Sequence, residues 1–334
     1  VVRIIDIGQC HEVEALPPEQ ELFYLASQWR MMWWRLKRHK LAVYSGAILF
    51  VLYFSILITE FLSPYALTSR HTDHIFAPPQ SVNFFHEGEF AGPFVYGLNY
   101  KLNMSTLKRE YTIDKGAVQP LRFFCRGDKY DFWLGFESNV HLACASDGGT
   151  FFWLGTDRLG RDVWSRILYG TRISLTVGLV GIILSFILGI TIGGAAGYFG
   201  GWVDNLSQRT IEILRSMPEL PLWLGLSAAL PVTWSPVAIY FGITLILALL
   251  DWPGLARAVR SKLLALREED FATAAVLMGA KPKRVIFRHL LPSFTSHLIA
   301  SATLSIPSMI LGETALSFLG LGLRPPITSW GGLL

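Results

Sequence analysis

Charge is scarce in this 334-residue chain: Asp, Glu, Lys and Arg make up 16% of it against 51% hydrophobic residues, and the mean hydropathy is +0.40. So little charge excludes an ordinary soluble globular protein and points to a chain that crosses a bilayer several times. Signatures of catalysis are also missing. There is no GxxxxGK[ST] phosphate loop and no G-x-S-x-G nucleophile elbow, and His11-Glu12 and His86-Glu87 lack the second histidine of a zinc-protease helix. The eight histidines are scattered, which argues against a metal site. The net charge of +4 comes from basic residues beside apolar runs, where they act as topology determinants and not as a nucleic-acid footprint.

What the chain has in abundance is long uncharged sequence. Leu41 to Thr59 follows Arg35, Lys37, Arg38 and Lys40 and reads as span 1, its N-terminal end held in the cytoplasm by those cations. Ile173 to Val203 exceeds the need of a bilayer and reads as span 2. Pro231 and Pro236 divide the next region into span 3, about Ile211 to Leu230, and span 4, about Val237 to Leu255; Leu290 to Gly312 is span 5. The loop between spans 4 and 5 carries Arg257, Arg260, Lys262, Arg267, Lys281, Lys283, Arg284 and Arg288, so it too belongs in the cytoplasm. Arg158, Arg161, Arg166 and Arg172 oppose this orientation, partly offset by Asp157 and Asp162.

Residues 1–40 read as a cytoplasmic tail followed by an interfacial amphipathic helix, with Leu22, Leu25, Ala26, Trp29, Trp33 and Leu36 at helical spacing. The first transmembrane helix occupies 41–63. Residues 64–150 change to mixed polar and aromatic sequence and read as a small folded insertion outside the membrane, with short strands at Leu121 to Cys125 and Tyr130 to Phe136. Cys125 and Cys144 share that compartment and could bridge, although two unpaired thiols are the commoner outcome. Residues 151–334 form the remaining membrane domain. Within span 5, His297 more commonly packs neutral than lines a pathway, and Glu313 reads as facing the interface.

Three motifs stand out. Span 2 has Gly181, Ser185, Gly189, Gly193, Gly197 and Gly201 at strict four-residue spacing, a seam that lets helix backbones approach. Before it comes Gly155-Thr156-Asp157-Arg158-Leu159-Gly160-Arg161-Asp162 with Ser165-Arg166, in which glycines permit turns and aspartates cap helix starts: a structured elbow on the gate side. Between spans 4 and 5, near 269–290, Ala274-Ala275, then Gly279-Ala280, then Leu291-Pro292 read as a helix, a glycine turn and a proline-started return into the membrane.

That last spacing resembles the coupling loop of ATP-binding cassette (ABC) importer permeases, with Thr273 where the motif has glutamate and His289 where it has isoleucine. The elbow, and Glu313 to Gly322 followed by Pro325-Pro326 and Ser329-Trp330-Gly331, resemble the C-type subunit of oligopeptide and dipeptide importers, over more than half the chain. Pro120 to Phe124 in the insertion looks like the branch related to microcin C and oligopeptide permeases. The resemblance implies an all-α polytopic fold of the type I ABC importer permease kind, in the bacterial inner membrane, with a sixth span expected after Leu334. It implies a non-enzymatic subunit that takes up oligopeptides, dipeptides or peptide-like compounds. The implied partners are a homologous second permease, a cytoplasmic ABC ATPase, an extracytoplasmic solute-binding protein and membrane lipid, with ATP and magnesium held by the ATPase and no cofactor on this chain. A membrane-embedded hydrolase is the alternative, and a structural or sensory membrane protein a third class; neither would require a soluble ATPase.

Overall fold

The structure, a computed structural model, describes residues 28–132, 136–146, 148–323 and 327–334. Leu22, Leu25, Ala26 and the Pro325-Pro326 pair lie outside the described residues. The chain divides into two units, one ending at Phe54 and one beginning at Ser55. In the first, α1 (Gln28–Arg38) sets Lys37 over the ring of Trp33 and Arg30 over that of Trp34, so cations and indoles share a helix as they do at membrane interfaces. The long apolar helix α2 (Lys40–Leu57), whose last turn already belongs to the second unit, carries no charge beyond its first residue.

In the second unit, an antiparallel meander comes first, in the order β1 (Asn83–His86), β2 (Glu89–Asn103), β3 (Lys108–Phe132) and β4 (Phe136–Ala145). The two short strands expected from sequence divide differently: Leu121 to Cys125 and Tyr130 to Phe132 share the long β3, which β4 pairs along both stretches across a register shift, while Phe136 opens β4 and residues 133–135 lie outside the described residues. Phe94, Val95, Leu121, Phe151 and Phe152 make its small core. Cys125 and Cys144 are bridged, which corrects the unpaired expectation; β3 and β4 bring their Cα atoms to 6.1 Å, within bridging reach.

The rest is helical. α3 (Val163–Phe199) is followed by α4 (Gly201–Ser216), α5 (Glu219–Ala228), α6 (Pro236–Leu266), α7 (Asp270–Leu277) and α8 (Thr295–Phe318). Among the described residues, four helices are long and apolar enough to cross a membrane: α2, α3, α6 and α8. The expected span 3 is not a single helix. α4 and α5 together run antiparallel to α6, from Asp204 against Arg260, through Ile211 against Trp252 and Ala256, to Leu230 against Gly242. They break at Met217, held extended (φ −91°, ψ 140°) because the proline ring that follows disfavours the helical conformation.

The expected start of span 5 at Leu291-Pro292 also shifts. Helical backbone begins at Pro282, widens into a π-helix at Val285–Leu290, and bends at Phe294 before α8. Pro292 has no N–H to give and its ring crowds the carbonyl four residues back, and a wide turn just upstream is the usual relief. α3 and α6 run parallel, while α8 is antiparallel to both: Leu298 packs near Leu263, and Gly312 near Leu247.

Candidate functional site

The sequence motifs occupy the two ends and the length of α3. Its 37 residues span about 55 Å at ~1.5 Å per residue, so elbow and coupling loop are separated by most of a membrane's thickness.

At the loop end, α7 closes in a double hydrogen bond: Gly279 N–H donates to Val276 O (2.9 Å) and Ala280 N–H to Ala275 O (3.1 Å). This is a Schellman cap, and it places Gly279 at φ +81°, the left-handed region that glycine enters without strain. The two small residues do not act as a pair. Ala274 is exposed, whereas Ala275, one helical step round, is buried, and Ala272 packs against α6 and the π-helix in a core of Leu255, Val259, Leu263, Val285, Ile286, Leu290 and Leu291. Ala280 packs against that core and Pro292 is exposed. Sequence reasoning missed the outward face: Leu277 is 82% and Met278 81% exposed, beside exposed Phe271 and Val276. Large apolar residues within a basic loop were the available signal.

At the other end, the elbow is clasped by residues 71–80. Gly155 (φ +78°) and Gly160 (φ +72°) lie so close to the carbonyls of Ala77 and His71 that no side chain fits. Thr156 receives Ala77 N–H (2.8 Å) and donates to His74 O. Asp162 caps α3, its Oδ2 accepting from Ser165 N–H (2.7 Å) and Ser165 Oγ (2.6 Å), and burial pushes its carboxyl up to about 6. Asp157 is not a helix cap. It gathers the N–H groups of Leu159 and Arg161 and the guanidinium groups of Arg161 and Arg166, bonds that hold its pKa down against partial burial. Arg172 makes a two-pronged pair with Glu60 at 2.5 and 2.6 Å. Three of the four arginines that opposed the topology are thus paired locally, two of them sharing Asp157 and the third with Glu60.

Between the ends, the small residues face α6. Ser185 Oγ donates to Asp251 Oδ2 (2.7 Å), and a Cβ on Gly189, Gly193 or Gly197 would strike Leu255, the Ala256 carbonyl or the Arg260 carbonyl. Gly181 instead faces Met309 of α8, and Gly201 is exposed. Glu313, expected at the interface, is fully buried: Ser317 Oγ donates to its Oε1 (2.5 Å) where the residues after α8 fold back. His297 is exposed on this chain. No cluster of His, Cys, Asp or Glu suited to a metal occurs among the described residues.

Residues 189–334 match the family of binding-protein-dependent transport system inner membrane components, and residues 27–79 match the N-terminal transmembrane domain of oligopeptide transport permease C. A putative peptide permease protein of Brucella suis biovar 1 (strain 1330) is 38% identical over 208 residues, 61% of this chain and 67% of the relative. The chain belongs to this family of transport permeases. The dipeptide transport system permease protein of Bacillus subtilis (strain 168) is 38% identical, over 54% of each chain, and the glutathione transport system permease protein of Pectobacterium atrosepticum 37% identical, over 54% of this chain and 58% of its own. This permease therefore spans between about half and two thirds of the length of these relatives. Among solved structures, an inward-facing form of the MetNI methionine ABC transporter is 20% identical with a TM-score of 0.40, over 50% of this chain and 77% of the other. The permease is a multi-pass inner membrane protein of a family that is not enzymatic.

Proposed function

We propose that the chain forms half of the translocation path of an ATP-driven importer of oligopeptides, dipeptides or peptide-like compounds. A homologous permease supplies the other half, a cytoplasmic ABC ATPase binds ATP and magnesium and docks on α7, and a solute-binding protein delivers substrate outside. The relatives named as peptide, dipeptide and glutathione permeases support the substrate class. In this reading the N-terminus is cytoplasmic and the β-meander is external. Arg257, Lys262, Lys281, Lys283, Arg284 and Arg288 gather about α7, whereas Arg161, Arg166 and Arg172 ahead of α3 are paired with carboxylates; by the positive-inside rule this supports a cytoplasmic α7.

The observation that carries the proposal is the two-faced α7. Ala272 and Ala275 fasten it to the bundle while Leu277 and Met278 stand almost fully exposed from the end that bears the cations. An apolar tip rimmed by charge marks a docking surface. The test is Leu277→Asp with Met278→Asp, read by co-purification of the ATPase and by uptake into proteoliposomes. Docking should weaken at least about tenfold, as for loss of a buried apolar anchor, with membrane insertion and pairing to the second permease intact. Unchanged docking and uptake would refute it.

A further inference from the structure

The break between α4 and α5 lies within the apolar part of the bundle, beside Asp251 and Gly254 of α6 near the end of its apolar run. Arg215, two residues before it, stands against Gly254, where a Cβ would come within 2.6 Å of its Nη2, and Asp251 is the sixteenth of the 31 residues of α6. No side chain caps α5 at Pro218, and Met217, Pro218 and Glu219 are exposed. Peptide groups without partners cost several kcal/mol in hydrocarbon, so irregular backbone in such a region is stable only inside protein or beside water.

Around the break is a cleft of about 310 Å³. Arg215, Glu219 and Asp251 line it together with apolar Leu214, Met217 and Leu222. None of the three ionisable groups has an ion-pair partner within 4 Å among the described residues, and Asp251 is oriented by the hydroxyl of Ser185 at 2.7 Å. Charges of both signs that sit close together without pairing, in a region where burial in lipid is costly, call for a water-filled space and suit a ligand that carries both signs.

We propose that this cleft is a subsite on the translocation path for a short peptide with both ends free. Arg215 takes the terminal carboxylate as a forked donor, Asp251 the terminal ammonium, and Glu219 adds negative field on the ammonium side. The apolar walls accept side chains without reading them, so recognition falls on the groups that every unmodified peptide has. The volume is at the low end for small-molecule sites and suits a di- or tripeptide. The inference rests on the peptide-importer reading.

The test uses the assembled transporter in lipid nanodiscs without its solute-binding protein, with radiolabelled trialanine, N-acetyl-trialanine and trialanine amide as probes. Each blocked end should weaken capture by the unmodified transporter at least about tenfold, the loss expected for one charged hydrogen bond. Arg215→Gln should abolish discrimination against the amide only, Asp251→Asn discrimination against the acetylated peptide only, and Arg215→Lys, which keeps the charge and loses the fork, should retain discrimination against the acetylated peptide and only part of that against the amide. Equal capture of free and blocked peptides, no capture of trialanine, or unaltered discrimination in both variants would overturn the subsite. Uptake of trialanine into proteoliposomes with the binding protein present separates the two readings: uptake without end-dependent capture leaves the importer standing and removes the subsite, while no uptake removes both.

Discussion

Replacing Gly193 by alanine should push α3 and α6 away from each other. A Cβ built on Gly193 lies 2.3 Å from the carbonyl oxygen of Ala256 and 2.8 Å from its Cα. Close C···O contacts settle near 3.3 Å, so the shortfall is about 1 Å. Neither partner can turn aside, because both atoms belong to helix backbone. The helices must therefore separate along the seam, stretching the Ser185–Asp251 bond of 2.7 Å and opening the contacts of Gly189 with Leu255 and Gly197 with Arg260. A gap of 0.5–1 Å forfeits roughly a quarter to a half of each dispersion contact.

Overpacking of this kind costs about 1–3 kcal/mol, and the better helix propensity of alanine returns at most about 1 kcal/mol. The net loss is of order 1–2 kcal/mol. Gly194→Ala is the matched control: it sits next to Gly193, but its Cβ meets a methyl of Ile286 at 3.7 Å and one of Leu263 at 4.0 Å, both ordinary contacts. Thermal denaturation of the detergent-purified transporter should give a lower midpoint for Gly193→Ala and an unchanged or higher one for Gly194→Ala. A Gly193→Ala protein as stable as the control would refute the close-approach argument.

Gly279→Leu meets no atom within 4 Å in this chain, so its damage comes from the φ of +81°, about 1–2 kcal/mol, and from the misdirected tip of α7; uptake should be lost with insertion and permease pairing intact, while Gly279→Asn, which tolerates that backbone, should retain transport. Asp162 has a folded pKa of about 6, above the ordinary carboxylate value of about 3.9, so its contribution to stability is full below pH ~4 and is lost as pH rises through ~6. Up to about 3 kcal/mol is involved; the midpoint should fall between pH 5 and pH 7.5 in the native chain more than in Asp162→Asn, whose carbonyl still accepts Ser165 N–H, and equal falls would refute the assignment. Cys144→Ser opens a loop of sequence separation 19, worth about 3 kcal/mol, and should raise protease sensitivity within residues 64–150 in intact spheroplasts; a cutting rate equal to that of the native chain would show the bridge contributes little.

The cores of α2, α3 and α8 were legible because each lies in a long run without Lys or Arg, that of α6 because the uncharged stretch from Leu220 to Leu250 is broken by Pro231 and Pro236, and the seam because four-residue spacing repeats along one helix face. α4 was hidden by its own charges. Asp204, Arg209, Glu212 and Arg215 break the apolar pattern, which puts the start of the crossing at Ile211; only the fold reveals that Asp204 is met by Arg260, 56 residues away, and Arg209 by Glu212. Glu313 is a similar case. A lone carboxylate in an apolar run suggests a water-facing edge, yet the hydroxyl of Ser317 buries it, and that serine meets Ser329 at 3.4 Å only because the chain after α8 turns back. In α7 periodicity located the helix, but which alanine faced inward depended on where α6 and the π-helix lay.

Rigid and yielding regions of the bundle are distributed unequally, and this bears on how a push at α7 would travel. The inner face of α7 shares a core with α6 and the π-helix, and α6 is locked to α3 by backbone contacts too close to slide. Packed helices of that kind move as bodies. The crossing made of α4 and α5 has two joints instead: Gly200 and Gly201, both at positive φ, with Gly200 (ψ −154°) in a region that belongs almost wholly to glycine, and the capless break at Met217-Pro218. A displacement imposed on α7 therefore carries α3 and α6 together and concentrates its strain at these joints. The second joint opens onto the cleft of Arg215, Glu219 and Asp251, with Arg215 on one side of the break, Glu219 on the other, and Asp251 on the rigid pair. Bending there changes the distances between all three charges at once, so affinity at the proposed subsite would follow the position of α7.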